Sequence, residues 1–309
     1  MEAQILQFLN TAYSVPFSSV EAVTNEMYRC HSDKGTFFAR ITNYKTYEEQ
    51  LAEVQWTTYL FNQGIRVPEV IPSAQDSLVS TLVLNEEEKS VVLFRAAAGI
   101  HLPRAKWNQT VFRTLGQEIG RMHRAGKAYL QSEAAALIPH WYDNDEYDFL
   151  KYIPAEERAI RDIAKDVLKL VRKLPKDEAN YGIIHGDLWL ENILADSDSS
   201  LTMIDWQDCE RHYYVYDLAV PIYSALEFSF AGGQNLIDYK RSITKAITDG
   251  YKEEHPLSAE MSRQLPLFLR LKELFEYNLM HMYWNHEELS EEQVRILNLY
   301  RSKIEFMHT

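Results

Sequence analysis

One short segment constrains this chain more than any other. The stretch "IIHGDLWLENIL", residues 183–194, places His185, Asp187 and Asn192 between two pairs of apolar residues. The apolar runs "NIL" and "LTMID" flank the turn-forming "ADSDSS", and this pattern predicts a β-hairpin that ends at Asp205. Such a hairpin would bring Asn192 and Asp205 close together in space.

The oxygen atoms of these side chains indicate a chemistry. An amide oxygen and a carboxylate are hard ligands that suit Mg²⁺, which takes only one or two protein ligands when phosphate and water supply the rest. Asp187 lies five residues before Asn192 and is expected to project toward the same point. Its carboxylate could accept the proton of a substrate hydroxyl, or orient that hydroxyl, as it attacks a metal-bound phosphate.

The spacing of the segment, H-x-D-x-x-x-x-N, is the catalytic-loop signature of protein kinases and their relatives. Three residues at set spacing arise by chance in roughly one window in 10⁴ at average residue frequencies. Together with "MIDWQDCERHYYVYDLA", the segment resembles the aminoglycoside phosphotransferase and choline kinase-like family, the small-molecule branch of the protein-kinase fold. The resemblance covers most of the chain, to about residue 230.

The resemblance implies a role for each matching residue. Asp187 would be the catalytic base, and Asn192 and Asp205 would be the Mg²⁺ ligands. His185 would anchor the loop as a structural residue. Asp217, in "DLA", would brace the loop from behind by hydrogen bonding. ATP, or GTP, would be the phosphoryl donor.

The same resemblance implies a nucleotide site in the N-terminal part of the chain. In this fold the third strand supplies a cation to the phosphates, and a helix glutamate orients that cation. The strand "TFFARI" offers Arg40 where most kinases carry lysine, and Glu53 is its expected partner, with Glu49 as the second choice. Adenine would lie against the backbone of about Phe94 to Ala96. No G-x-G-x-x-G motif occurs in the sequence.

The order of the elements predicts an α+β chain with a small lobe and a larger helical lobe, and the resemblance implies that this is the bilobal protein-kinase-like fold. Residues 1–98 read as an antiparallel five-stranded sheet around one main helix, and this lobe would bind the nucleotide. That helix begins with a capping box of Thr46 and Glu49 and ends near Gly64. Residues 99–309 read as a mostly helical lobe that carries the catalytic loop, the metal site and the substrate pocket.

Charge and composition exclude several classes of function. The chain has 309 residues, a net charge of −13 and no cluster of Lys and Arg, so we expect no nucleic-acid partner. No apolar run approaches the ~18 residues of a membrane span, and we expect a cytoplasmic protein without a membrane partner. Cys30 and Cys209 match no metal-binding spacing. The oligomeric state is left open.

The acceptor is expected to be a hydroxyl-bearing small molecule, and a cationic one suits the sequence best. Only twelve positions separate Asp205 from Asp217, too few for the segment with which protein kinases dock a peptide. Aminoglycosides, choline-like amino alcohols, homoserine and sugars all stay open, as do a bacterial stress-type protein Ser/Thr kinase and an inactive binding module. Acidic and aromatic residues are candidates for an amine-binding pocket: Trp141, Tyr142, Asp143, Asp145, Glu146, Tyr213, Tyr214, Glu227, Glu273, Glu276 and Trp284.

Overall fold

The N-terminal sheet forms from short strands that are rich in β-branched and aromatic residues. The computed structural model describes residues 1–197, 199–227 and 235–306. Its six N-terminal strands are β1 (Ser19–Ala22), β2 (Met27–Ser32), β3 (Gly35–Thr42), β4 (Val70–Ile71), β5 (Ser80–Leu84) and β6 (Glu87–Arg95). They pair antiparallel in the order β1–β2–β3–β6–β4, and β5 also pairs with β6.

Two tight turns set the register of this sheet. Ser32 pairs with Gly35 across the predicted "SDKG" connection. In the predicted "NEEEK" connection, Asn85 and Glu86 both have positive φ, as a two-residue hairpin turn requires. The sheet has one strand more than the sequence predicted. This strand, β4, has only two residues because prolines at 68 and 72 flank "EVI".

The main helix of the N-terminal region, α2 (Tyr47–Asn62), has the predicted ends. The Thr46 side chain accepts a hydrogen bond from the Glu49 backbone N–H, and the Glu49 carboxylate accepts one from Thr46 in return. Gly64 adopts a left-handed φ of +77° just past the helix, where a residue with a Cβ would be strained. A helix that sequence analysis did not predict, α1 (Glu2–Ala12), precedes the sheet and buries Ile5 and Leu9 in its core.

A second, smaller sheet contains the predicted hairpin. Strands β9 (Ile193–Ala195) and β10 (Leu201–Met203) pair antiparallel, and β7 (Ile100–His101) adds to the edge of β9. Asp198, in the loop of the hairpin, lies outside the described residues. The hairpin predicted from "NIL" and "LTMID" is confirmed.

The rest of the chain is mostly helical, as predicted. Strands β8 (Tyr181–Ile184) and β11 (Glu210–Tyr213) pair antiparallel on either side of the catalytic loop in the sequence. Residues 228–234 of the predicted helical region lie outside the described residues. The remaining helices are α3 (Gln109–Tyr129), α4 (Phe149–Tyr152), α5 (Arg158–Arg172), α6 (Tyr214–Glu227), α7 (Leu236–Glu254), α8 (Ala259–Arg263), α9 (Leu265–Tyr283) and α10 (Glu291–Phe306).

The chain divides into two compact units. The first contains residues 1–107, 124–138 and 191–209, and the second contains the remaining residues. The lobe boundary after residue 98 stays a prediction. The α+β class is confirmed by the antiparallel sheets and the ten helices of the described residues. None of the helices in the described part of the chain combines the length and apolar character needed to cross a membrane.

Candidate active site

A buried ion pair lies at the centre of the first unit. Strand β3 places Arg40 and helix α2 places Glu53, and the two side chains form a bidentate pair with N–O distances of 2.9 and 2.6 Å. Both side chains are about 3% exposed. The Arg40 guanidinium also lies 5.6 Å from the ring centroid of Phe94. Of the two glutamates considered from the sequence, Glu53 pairs with Arg40, and Glu49 caps the helix.

Burial and neighbouring carboxylates act on the pKa of Arg40 in opposite directions. Burial lowers the pKa of Arg40, but the Glu53 carboxylate raises it more through its charge and hydrogen bonds, and the charge of Asp205 raises it further. The net pKa is therefore above that of an ordinary arginine. Arg40 is a permanent cation within electrostatic range of Asp205.

A cavity of about 420 Å³ opens beside this pair, and residues of the first unit alone line it. Its lining includes five residues predicted from the sequence: Arg40, Glu53, Phe94, Asn192 and Asp205. Predicted residue Ala96 is not among the lining residues, and its backbone N–H donates to the Thr36 carbonyl at 3.0 Å. Ala97 and Trp206, which the sequence did not single out, line the cavity as well.

The two predicted metal ligands meet at the open end of the β9–β10 hairpin. The backbone N–H of Ile204 donates to the Asn192 carbonyl at 2.9 Å, so the side chains of Asn192 and Asp205 come from adjacent chain segments. Asp205 has a φ of +65°, a left-handed conformation that costs energy for a residue with a Cβ. Strain of this kind is common at ligand-binding positions.

The donor set at this hairpin can be compared with what a metal ion needs. Among residues 1–197, 199–227 and 235–306, no group of three or more His, Cys, Asp and Glu side chains is arranged to hold a metal ion. One amide and one carboxylate are nevertheless within the usual protein contribution to a Mg²⁺ site that phosphate completes. The residues present therefore fit such an ion.

Residues 185–190 of the predicted catalytic loop lie in the second unit, and a buried carboxylate holds their backbone. Asp217, on α6, accepts hydrogen bonds from the backbone N–H groups of His185 at 2.8 Å and Gly186 at 3.0 Å. His123 contacts the same carboxylate at 3.0 Å through its Nε2 atom. Gly186 has a φ of +84°, which favours glycine at this position of the motif. The loop backbone is therefore tied to α6 immediately before Asp187.

Asp187 is partly exposed and contacts a cation that sequence analysis missed. Its side chain is 30% exposed, and Oδ1 lies 3.1 Å from the Nζ atom of Lys272 on α9. Lys272 also pairs with Glu276 at 2.7 Å. The apolar run around Lys272, "LPLFLRLKELF", predicts a buried helix, and a lysine within such a run is the signal that could have identified it.

Further carboxylates lie in the second unit. Burial raises the pKa of Glu273 to about 7, and its Oε2 atom is buried without a hydrogen-bond partner in the described part of the chain. Glu227 pairs with Lys303 and accepts a hydrogen bond from Tyr300 at 3.3 Å. Trp141, another pocket candidate from the sequence, is instead fully buried in the core.

The model of one protein family matches residues 18–240, which is most of the chain. Its description is "Phosphotransferase enzyme family". The chain belongs to this family. The resemblance inferred from the catalytic-loop motif is confirmed, and this phosphotransferase has the enzyme class that its sequence predicted.

Individual relatives of the phosphotransferase have low sequence identity to it, from 22% to 26%. The amicoumacin kinase of Bacillus subtilis strain 168 is 26% identical over 284 residues, which cover 91% of this chain and 84% of the relative. A solved structure of an amicoumacin kinase with AMP-PNP, Ca²⁺ and Ami has a TM-score of 0.90 and 22% identity over 99% of this chain and 93% of that chain. A microcompartment-associated aminopropanol kinase has a TM-score of 0.75 and 23% identity, covering 97% and 94% of the two chains. These neighbours confirm the kinase-like fold.

Proposed function

We propose that this phosphotransferase moves the γ-phosphoryl group of ATP to a hydroxyl group of a cationic small molecule, with Mg²⁺ and with Asp187 as the base. The observation that carries the proposal is that one cavity is lined by Arg40, Glu53, Asn192 and Asp205. A cation with an orienting glutamate, and two hard oxygen ligands, are the parts that phosphoryl transfer needs on the nucleotide side.

Arg40 is proposed to contact the phosphates of the nucleotide. Its bidentate pair with Glu53 holds the guanidinium plane in one orientation, which a flexible lysine would not achieve in the same way. Phe94 is proposed to face the nucleotide from the same cavity wall, and Ala97 extends that wall along the chain. The solved neighbour with AMP-PNP supports a nucleoside triphosphate as donor. GTP is the alternative donor that the sequence left open.

Asn192 and Asp205 are proposed to hold the metal ion. When bound, Mg²⁺ would neutralise charge on the phosphate oxygens. The solved neighbour contains Ca²⁺ together with its nucleotide, which supports a divalent cation in this role. The left-handed backbone of Asp205 directs its carboxylate in a way that an ordinary strand end would not, and this supports its assignment as a ligand.

Asp187 is proposed to take the proton of the acceptor. The acceptor oxygen attacks the γ-phosphorus, the bond from that phosphorus to the bridging oxygen breaks, and ADP leaves with the electron pair. The hydroxyl proton passes to the Asp187 carboxylate. Asp217 is proposed to hold His185 and Gly186, and through them the position of Asp187, by its two backbone hydrogen bonds.

The acceptor is proposed to carry a positive charge. Glu227 and Glu273 lie in the same unit as Asp187, and the charge of Glu227 raises the pKa of Glu273, so the two carboxylates are within electrostatic range of each other. Glu273 retains a buried oxygen without a hydrogen-bond partner in the described residues, and an ammonium group would satisfy it. The aminopropanol kinase among the structural neighbours supports an amino alcohol as acceptor.

A panel of acceptors tests the proposal. Homoserine, choline, aminopropanol, amicoumacin, an aminoglycoside and an uncharged sugar would each be mixed with the protein, Mg²⁺ and either ATP or GTP, and ADP or GDP release would be measured. We expect Mg²⁺-dependent release with at least one amine-bearing alcohol and slower release with the sugar. Absence of turnover with every compound would contradict the proposal.

A variant tests the metal assignment separately. Asp205→Ala is expected to abolish the Mg²⁺-dependent part of AMP-PNP binding, measured by calorimetry with and without Mg²⁺. Asp208→Ala is the matched control, since Asp208 is three positions away, is 47% exposed and does not line the cavity. Tight Mg²⁺-dependent binding by Asp205→Ala would remove this residue from the metal site.

A further inference from the structure

Lys272 is the least expected charge near the catalytic loop. It lies on α9 between Leu271 and Leu274, both fully buried, and its own side chain is 1% exposed. Lysine is almost never buried to this extent unless its ammonium group is paired, because burial removes the ammonium from water. A buried lysine in a helix core therefore requires specific partners.

Two carboxylates and two aromatic rings surround the ammonium group. Nζ lies 2.7 Å from Oε1 of Glu276 and 3.1 Å from Oδ1 of Asp187. It also lies 5.5 Å from the ring centroid of Trp189 and 5.0 Å from that of Phe275. Glu276 and Phe275 belong to α9 itself, whereas Asp187 and Trp189 belong to the catalytic loop. Lys272 thus contacts two loop residues that lie on either side of Leu188.

The ammonium group stays charged in this environment. Burial lowers the pKa of Lys272, but the charges of Glu276, Asp187 and Tyr216 raise it more, so the net pKa lies well above that of an ordinary lysine. The groups that face it come from α9, from the catalytic loop and, through Tyr216, from α6. Glu227 of α6 adds negative charge next to Glu276. The cation therefore persists over the working range of an enzyme.

One carboxylate would be enough to pair this ammonium, and Glu276 already supplies it within the same helix. The second contact, to Asp187, uses a carboxylate that is 30% exposed and needs no partner to be stable in water. This contact restricts rotation of the Asp187 carboxylate, and the contact with the Trp189 ring holds the next turn of the loop.

We propose that Lys272 is a positioning residue for phosphoryl transfer, which acts by holding Asp187 and Trp189 of the catalytic loop from α9. The proposal rests on the proposed function, because Asp187 must be the base for its orientation to affect the rate. Small displacements of a reacting group slow the reaction strongly, since misplacement by about 1 Å can lower the rate on the order of 10²-fold. Lys272 would therefore affect kcat and leave nucleotide binding unchanged.

The test compares two variants that both carry Glu276→Gln, so that replacing Lys272 leaves no buried carboxylate unpaired. Glu276→Gln serves as the reference, and Lys272→Met with Glu276→Gln is the test variant. Turnover is measured with ATP, Mg²⁺ and the panel acceptor that the unmodified chain uses fastest. We expect kcat of the test variant to fall about tenfold or more below the reference. AMP-PNP affinity and the KM for ATP should agree within about twofold.

A second measurement separates positioning from a general structural effect. The same lysine replacement is repeated in an Asp187→Asn background, where the group to be positioned has already been lost. A positioning role predicts that the lysine replacement lowers kcat by less than about threefold there, whereas independent structural damage would be additive. Lys245→Met removes a similar i,i+4 lysine pair from the exposed face of α7 and should leave kcat unchanged.

Each outcome separates the two proposals. A kcat for the test variant within about twofold of the reference would overturn the role of Lys272. Equal losses with Asp187 intact and in the Asp187→Asn background would overturn it as well, because the effect would then not pass through Asp187. Failure of the proposed function would appear earlier, as an Asp187→Asn variant that turns over as fast as the unmodified chain.

Discussion

Two buried cations of this phosphotransferase, Arg40 in the first unit and Lys272 in the second, are paired with carboxylates in different ways. Within the described residues, Arg40 pairs with Glu53 through two hydrogen bonds, so the two charges cancel. Lys272 has two carboxylate partners, Asp187 and Glu276, so one negative charge remains. The Arg40–Glu53 pair is therefore neutral, whereas the Lys272 cluster has a net negative charge.

The difference fits the two halves of the reaction. A triphosphate brings its own negative charge, so the nucleotide side needs a rigid cation whose orientation is already determined. The loop that holds the proposed base carries the Asp187 carboxylate, and Glu227 and Glu273 lie in the same unit. Negative charge there favours a cationic acceptor.

The largest effect is expected from a change in the loop that carries Asp187. Asp187→Asn should lower kcat by about 10²–10⁴-fold, because general-base catalysis contributes this much. AMP-PNP affinity should stay close to that of the unmodified chain, because every lining residue of the nucleotide cavity lies in the first unit. Steady-state kinetics and calorimetry measure the two quantities. The control, Asp166→Asn on the exposed face of α5, should change neither. Unchanged turnover would remove Asp187 from its proposed role.

The second largest effect is expected when Arg40 loses its partner Glu53. Glu53→Gln leaves the buried Arg40 charge without its anion and should lower the free energy of unfolding by about 3–5 kcal/mol. The KM for ATP should rise at the same time. Glu49→Gln, four positions earlier on α2 and exposed, keeps a side-chain oxygen that can complete the capping box and should cost no more than about 0.5 kcal/mol. Chemical denaturation measures both variants. If the two glutamates cost the same, the Arg40 pair is not the structural element we describe.

The smallest effect is the pH dependence of stability that the buried carboxyl group of Glu273 causes. Burial raises the pKa of Glu273 from 4.5 to about 7, so between these values the folded state binds a proton that the unfolded state has lost. The stabilising protonation is complete below pH 4.5, and stability falls as the pH rises from there toward 7, by at most about 3 kcal/mol.

The matching variant shows whether Glu273 causes this fall. Glu273→Gln should flatten it, in denaturation experiments at pH 5 and pH 8. Glu305→Gln, on the exposed end of α10, should leave it intact. A pH dependence that is the same in all three proteins would contradict the assignment.

Local patterns in the sequence predicted several features of the first unit that the structure contains. The capping box of Thr46 sets the start of α2, and counting back along this helix from "RVPEV" reaches Glu53, which pairs with Arg40 of β3. The hairpin that ends at Asp205 follows from apolar runs and a polar loop. These features depend on residues that are near each other in the chain, which is why one sequence was sufficient to predict them.

The acceptor side could not be predicted in the same way. The sequence named Glu273 and Glu276 among eleven candidates, and it gave no reason to prefer them over Trp141, which is a core residue. Lys272 lies 85 positions from Asp187, and nothing in the local pattern of either residue predicts the other. Only packing of α9 in the second unit brings them together.

The amino-acid sequence by itself determined the catalytic-loop motif, the hairpin with Asn192 and Asp205, and the helix that carries Glu53, because short-range hydrogen bonding and side-chain periodicity specify such elements. Tertiary structure alone decided that Lys272 contacts both Asp187 and Glu276 and that Glu273 is buried. Those outcomes depend on burial and on contacts between distant segments. The free energy of a buried charge is set by its surroundings in space, and no stretch of sequence contains them.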